Sequence, residues 1–316
     1  MILDRLIIYR IAPSYIRSFR TRSRQYTTMV SAGQQPAATA ASEKKSASSI
    51  PKGKTELKIL MIHGYTQSGS LFSAKTKALN KLLIKALSPA PLNLHPTLIF
   101  PTGPLRLRRS DIPGYVPPQD PCNQDAEDDD LDNYAWFRKD EATDKYRGIE
   151  DGMRRIASTI KEASGVDGVI GFSQGGCMAA LVAAALEHPH RAPSTPIEES
   201  TDVFGSKTWL EELRAANGDR PLKFGVIYSG FHATPADLQW LFDPAIATPT
   251  LHFLGGLDTV VEEKRSQALI ERCKDPMVLT HPGGHYVPVA RDWVMPLVGW
   301  LRQRCVEAAD DAKESL

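Results

Sequence analysis

Cysteine is scarce: Cys122, Cys177, Cys273 and Cys305 are all there are in 316 residues, with no CxxC or CxH spacing among them. Neither a zinc knuckle nor a disulfide framework is suggested, and a reducing compartment is the natural setting. Charge of one sign is also missing, since the formal net charge is +1, so no overall field favours nucleic acid or an acidic partner. There is no apolar run of the ~20 residues that a membrane span needs; the longest near the start, Leu6–Ala12, is broken by Arg10. No GxGxxG follows the first strand, and "GFSQGG" lacks the Lys-Ser/Thr of a phosphate-binding loop, so no nucleotide cofactor is indicated. No internal repeat is visible.

Residues 1 to about 52 differ from the rest. Arg5, Arg10, Arg17, Arg20, Arg22 and Arg24 face one acid, Asp4, among Ser and Thr. An Arg-rich, Ser-rich, acid-poor start has the composition of a mitochondrial transit peptide, and "SRQYTT" resembles a matrix processing context. Met29 offers an internal start that would give a cytoplasmic product. Ser31–Gly53, rich in Ala, Ser, Gln, Pro and Lys, reads as a linker with nothing to bury. The expectation is a targeting segment and linker over 1–52, then one folded domain over 53–316.

From Leu57 the chain alternates short apolar runs with helical periodicity: strands at 57–64, 97–100, 168–171, 223–229, 250–255 and 277–281, helices at 70–87 with Ser70 as N-cap, 147–163, 174–186, 262–273 and 290–304. Pro296 should kink or restart the last helix. Such alternation predicts a mostly parallel central sheet with helices on both faces. Two stretches do not fit. Residues 102–146 are rich in Pro and acid, including the Asp125–Asp132 run, which lacks the ligand spacing of a calcium loop; residues 188–221 are polar and Pro-rich. Both read as long insertions.

The stretch "GVIGFSQGGCMAALVAAAL" (168–186) carries the chemistry. Gly171-Phe172-Ser173-Gln174-Gly175 is G-x-S-x-G between a strand and a helix, where a tight turn exposes the serine and tiny residues two before and two after make room. Serine needs a base, and the base an acid. In strand–turn–helix enzymes the chain order is Ser, then acid, then His. Asp258, in "LHFLGGLDTVV", leaves the sheet after an apolar strand. His285, in "HPGGHYV", sits in a glycine-rich loop, with His281 the reserve. Glu262 and Glu263 suit the first turn of the next helix. His252 lies inside a strand, and His232, after "IYSGF", suits a site wall. An oxyanion needs two donors: the N–H of Gln174 and that of Tyr65, in "HGYTQSG" after the first strand, with His63 bracing that loop. Trp136 and Phe137 suit either a pocket wall or packing on the sheet. Cys177 suits the core of the helix after Ser173.

Taken in order, "ILMIHGYTQSG", "AWFR", "VDGVIGFSQGG", "GGLDTVV" and "HPGGHYVP" resemble the serine hydrolase (FSH) family of α/β-hydrolases over roughly Leu57–Arg304. The resemblance implies an α/β-hydrolase fold. It implies a triad falling on Ser173, Asp258 and His285, and an oxyanion hole falling on Tyr65 and Gln174. The implied activity is metal- and cofactor-free hydrolysis of small acyl esters or thioesters through an acyl-enzyme. An acyl-protein thioesterase or carboxylesterase of the same fold, and a non-catalytic binding protein on that fold, are the alternatives. A third reading gives the N-terminal arginines the main role, as a tether. The arginine-rich start and the long insertions depart from the family pattern, and oligomeric state is not legible.

Overall fold

The computed structural model describes residues 50–112, 114–115, 132–192 and 208–314, with side chains up to Val306. The arginine-rich segment with Met29, Cys122 and all of the acidic run except Asp132 lie outside them.

Among the described residues, ten strands and seven α-helices form the domain. β1 (Thr55–Ile62) is followed by α1 (Gly69–Lys75), α2 (Lys77–Leu87) and β2 (Leu94–Ile99). The first insertion supplies four short strands, β3 (Leu105–Arg106), β4 (Tyr134–Ala135), β5 (Arg138–Asp140) and β6 (Lys145–Arg147). Then come α3 (Ile149–Glu162), β7 (Gly168–Phe172), α4 (Gln174–Ala185), α5 (Trp209–Ala216), β8 (Phe224–Tyr228), β9 (Thr250–Gly255), α6 (Glu263–Ile270), β10 (Met277–His281) and α7 (Arg291–Glu314). The main sheet runs β10-β9-β8-β7-β1-β2, and every pairing in it is parallel. β2 contains Pro96 and is an edge strand, where a missing N–H costs no ladder bond.

Alternation along β1 divides the core. Leu57, Ile59 and Met61 meet Leu79, Leu83 and Leu87 of α2 and Val294, Leu297, Val298 and Leu301 of α7. Leu60 and Ile62 face the other way, toward Met153, Ile156 and Ile160 of α3, the alanines of α4, and Leu210 and Leu213 of α5. α4 is buried at every position, as a helix apolar but for Gln174 at its start must be between sheet and outer helices. Apolar surface is thus removed from water on both sides of the sheet, the arrangement in which parallel strands are stable.

Several expected boundaries change. The helix expected at 70–87 is two helices broken at Thr76, whose hydroxyl bonds back to the Phe72 carbonyl at 2.7 Å. Its N-cap is Ser68, not Ser70: Ser68 Oγ accepts from the Leu71 N–H at 3.1 Å. The polar stretch 188–221 contains α5, which begins with a capping box, Thr208 and Glu211 satisfying each other's backbone N–H. The last helix runs on through Pro296 instead of restarting. The proline falls in its second turn, where the one carbonyl deprived of a partner, that of Asp292, is close to the helix start. Among the described residues no helix is long and apolar enough to cross a membrane.

Buried histidines, His63 and His252 among them, give the domain a pH dependence. Burial pushes His63 down to about 4 and His252, at 1% exposure, down to about 3. Both are neutral in the folded protein at pH 5, whereas the unfolded chain protonates them below about 6.5. The unfolded state then holds more protons, so stability falls as pH drops from 6.5 toward 4, by about 1.4 kcal/mol per pH unit for each histidine. Urea midpoints at pH 7 and pH 5 should differ accordingly, and His252→Leu should flatten the slope by one histidine's share. Equal midpoints in the wild type would contradict this.

Candidate active site

β1 is the switch point of the sheet: β2 lies on one side of it, and β7 followed by β8, β9 and β10 on the other. Crevices at the carboxyl ends of strands flanking such a point are where open α/β sheets place their sites. The sequence after β1 is His63-Gly64-Tyr65, and the residue after β7 is Ser173.

Ser173 has φ 55° and ψ −117°, a strained backbone for a residue with a Cβ. The turn is held by the Ser173 N–H donating to the Tyr228 carbonyl at 2.8 Å and by its own carbonyl accepting from Gly176 and Cys177. The flanking glycines are required by space. A Cβ on Gly171 would collide with the Gly175 carbonyl, and one on Gly175 with the Ile62 and His63 carbonyls. Gly171→Ala or Gly175→Ala should therefore cost about 3 kcal/mol, the upper end of over-packing losses. Gly225→Ala in β8, whose added methyl meets nothing closer than 3.7 Å, should stay within about 1 kcal/mol of wild type. Urea denaturation of the three variants checks the contrast.

The three residues expected to act together are brought together. His285 Nε2 lies 2.9 Å from Ser173 Oγ, and His285 Nδ1 lies 2.7 Å from Asp258 Oδ2. Because an ionised carboxylate only accepts, Nδ1 carries the proton and Nε2 is free to accept from the serine hydroxyl. The imidazole rests on the Phe172 ring, centroids 4.8 Å apart. Asp258 Oδ1 accepts from the Val260 and Val261 N–H groups at 2.9 and 3.0 Å. Burial alone would raise the Asp258 pKa; hydrogen bonds from His285, Val261 and Val260 outweigh it and hold the carboxyl below its ordinary value. The last turn before α6 is left to Glu262 as N-cap and Glu263 in the first turn. A hydroxyl, an imidazole and a carboxylate in one hydrogen-bonded line can pass the serine proton to nitrogen and stabilise the cation formed.

The loop after β1 is tied down from several directions. His63 Nδ1 donates to the Gly64 carbonyl at 2.8 Å, and its Nε2 accepts from the Gly103 N–H at 2.9 Å. Tyr65 Oη donates to the Asp111 carbonyl at 3.1 Å. Ser68 and Ser70 both hydrogen-bond the Asp132 carboxylate, the second at 2.8 Å. Among the described residues neither the Tyr65 nor the Gln174 main-chain N–H donates to another backbone group.

The other candidates sit elsewhere. Trp136 and Phe137, at 0% and 2% exposure, are core residues and not an open pocket wall; Phe137 stacks on Tyr146 at 4.0 Å. His232 packs edge-on to Phe242 and makes no hydrogen bond to Ser173, Asp258 or His285 among the described residues; burial pushes it down to about 4. His281 is buried beside Tyr286 and Trp293, its Nδ1 accepting from the Gly283 N–H at 3.2 Å, which braces the turn leading to His285. His252 is buried in β9, 3.2 Å from Thr250 Oγ1, and Cys177 is fully buried, its thiol pushed up. Sequence reasoning missed Ser229, at the end of β8. It has φ 45° and is buried beside Asp258, and together with Asp258 and Ser266 it lines a cavity of about 50 Å³. A lone serine after an apolar strand carries no sequence signal of that neighbour.

A switch-point crevice over a parallel sheet, with a strained serine at its mouth, defines an α/β-hydrolase fold. The model of the serine hydrolase (FSH1) family matches residues 53–297, and the chain belongs to that family. It is 30% identical over 232 residues to a protein of Schizosaccharomyces pombe named dihydrofolate reductase, covering 73% of this chain and 44% of that one. It is 31% identical over 260 residues to an uncharacterized hydrolase of the same yeast, covering 79% and 52%. The chain thus spans about half the length of these two relatives. With "Family of serine hydrolases 2" of Saccharomyces cerevisiae it shares 28% identity over 248 residues, 78% of this chain and 97% of the other.

Proposed function

We propose that the protein hydrolyses carboxylic esters or thioesters of small acyl groups through a covalent acyl-enzyme on Ser173. The observation that carries the reading is the unbroken line Asp258–His285–Ser173, with bonds of 2.7 and 2.9 Å. Ser173 Oγ attacks the acyl carbon as its proton passes to His285 Nε2, and the carbonyl π electrons move to oxygen. The Tyr65 and Gln174 N–H groups hold that oxyanion, with the N-terminus of α4 beneath it. Collapse breaks the bond to the alcohol or thiol, which leaves with the proton from His285. Water then attacks the acyl-serine, giving its proton to His285, and the acid departs as Ser173 recovers the proton. Asp258 stays ionised throughout and stabilises the imidazolium.

The test is labelling of the protein with a fluorophosphonate and location of the adduct by mass spectrometry. A phosphonyl group on Ser173 that is lost in His285→Ala is expected. A folded sample that forms no adduct on Ser173 would sink the reading and favour a binding protein on the same fold.

A further inference from the structure

We propose that Trp136 is a positioning residue that locks together the two main-chain segments carrying the oxyanion donors. The inference rests on the catalytic reading above. Its basis is where the polar atoms of one buried strand-end go. The indole Nε1–H of Trp136 donates to the His63 carbonyl at 2.9 Å, two residues before Tyr65. Its main-chain N–H donates to Gln174 Oε1 at 2.8 Å, and Gln174 Nε2 donates to the neighbouring Phe137 carbonyl, also at 2.8 Å. The rings of Trp136 and His63 lie 4.9 Å apart.

A tryptophan needed for volume alone could send its N–H to any acceptor. Here the contacts converge on the loop after β1 and on the residue after the nucleophile, which come from opposite sides of the crevice and share no hydrogen bond with each other among the described residues. The Gln174 amide grips the insertion with its side chain, and the same residue offers its main-chain N–H to the site. With Trp136 fully excluded from water, each of these bonds is costly to leave unmade, so the spacing of the two amides is fixed before substrate arrives. Donors set in advance need no reorganisation as charge develops on the carbonyl oxygen. The first insertion is then the frame of the oxyanion site. The hydrogen bonds of Gly103 to His63 and of Tyr65 to Asp111 belong to the same frame.

Two variants open the clamp from opposite sides and leave Ser173, His285 and Asp258 untouched. Trp136→Phe keeps an aromatic ring and the main chain and removes the indole donor. Gln174→Met keeps chain length and its own N–H and removes both amide bonds. Folding is followed by near-UV circular dichroism and urea midpoints, and turnover with p-nitrophenyl acetate. The expected result in folded protein is a fall in kcat of about tenfold to 10², less than or comparable to loss of an oxyanion donor. KM should stay within about twofold, and affinity for a phenylboronic acid, which forms a tetrahedral adduct, should fall by the same factor as kcat. Folded variants with wild-type kcat, a loss carried by KM, or failure of both to fold would each overturn the proposal. If the wild type gives neither turnover nor a phosphonyl adduct on Ser173, it is the hydrolase reading that fails, and the clamp falls with it.

Discussion

Ser173→Ala should lower kcat for an activated ester by about 10⁶, the loss expected when a nucleophile that works as a unit with its base is removed. The fold should be unaffected, because the hydroxyl's bond in the free enzyme is to His285 and the turn is held by main-chain bonds to Tyr228, Gly176 and Cys177. Alanine at φ 55° is no more strained than serine there. The residual rate would come from binding and the oxyanion donors. Stopped-flow measurement of p-nitrophenol release distinguishes the cases, because the wild type should show an acylation burst and the variant none. A variant retaining a tenth of wild-type turnover would mean that Ser173 is not the nucleophile.

Asp258→Asn should cost about 10⁴ in kcat while leaving the protein folded, with only the stability of the carboxylate's anion lost. The carboxylate fixes the proton on His285 Nδ1. An amide in its place can present an N–H to that nitrogen, driving the proton to Nε2, where it faces Ser173 Oγ as a donor and cannot accept the serine proton. The side chain would still accept at Oδ1 from Val260 and Val261, so the turn before α6 persists. Since hydrogen bonding holds the Asp258 carboxyl below its ordinary value despite burial, the wild type keeps this anion through mildly acidic pH, and its contribution to stability is lost as pH falls through that lowered value. A pH series of kcat/KM for the two proteins, at equal folded fraction, would separate loss of the anion from damage to the fold.

Residues that obey a local rule were legible from sequence. Strands such as "KFGVIYS" are apolar because both sheet faces are covered, and G-x-S-x-G is legible because steric demand at Gly171 and Gly175 leaves one residue type possible. Chain order after the serine pointed to Asp258 and His285, and the glycines around His285 marked a loop able to reach across. What was hidden depends on distant partners. Thr76 breaks a helix through its own hydroxyl, with no Gly or Pro to announce it. α5 lies in a stretch whose polarity masked Trp209, Leu210 and Leu213, though Thr208 and Glu211 spell a capping box. The two- and three-residue strands β3 to β6 have no period to detect: β3 pairs with β4, which bridges to Gln67 of the β1 loop, and β5 pairs with β6. Trp136 looked equally suited to a pocket and to a core for the same reason, since its partners His63 and Gln174 are 73 and 38 residues away.

The order of strands across the sheet bears on synthesis at the ribosome. β7, β8, β9 and β10 each emerge after the neighbour on which they pair, so the sheet can grow outward as the chain lengthens. One face cannot be finished that way. The apolar stripe of α2 is covered by α7, and Arg302, 216 residues further along the chain, hydrogen-bonds the Ala86 carbonyl at 2.5 Å. Until the last helix clears the exit tunnel, Leu79, Leu83 and the strand residues around them have no lid, and a nascent chain of this design carries an adhesive flank for most of its translation.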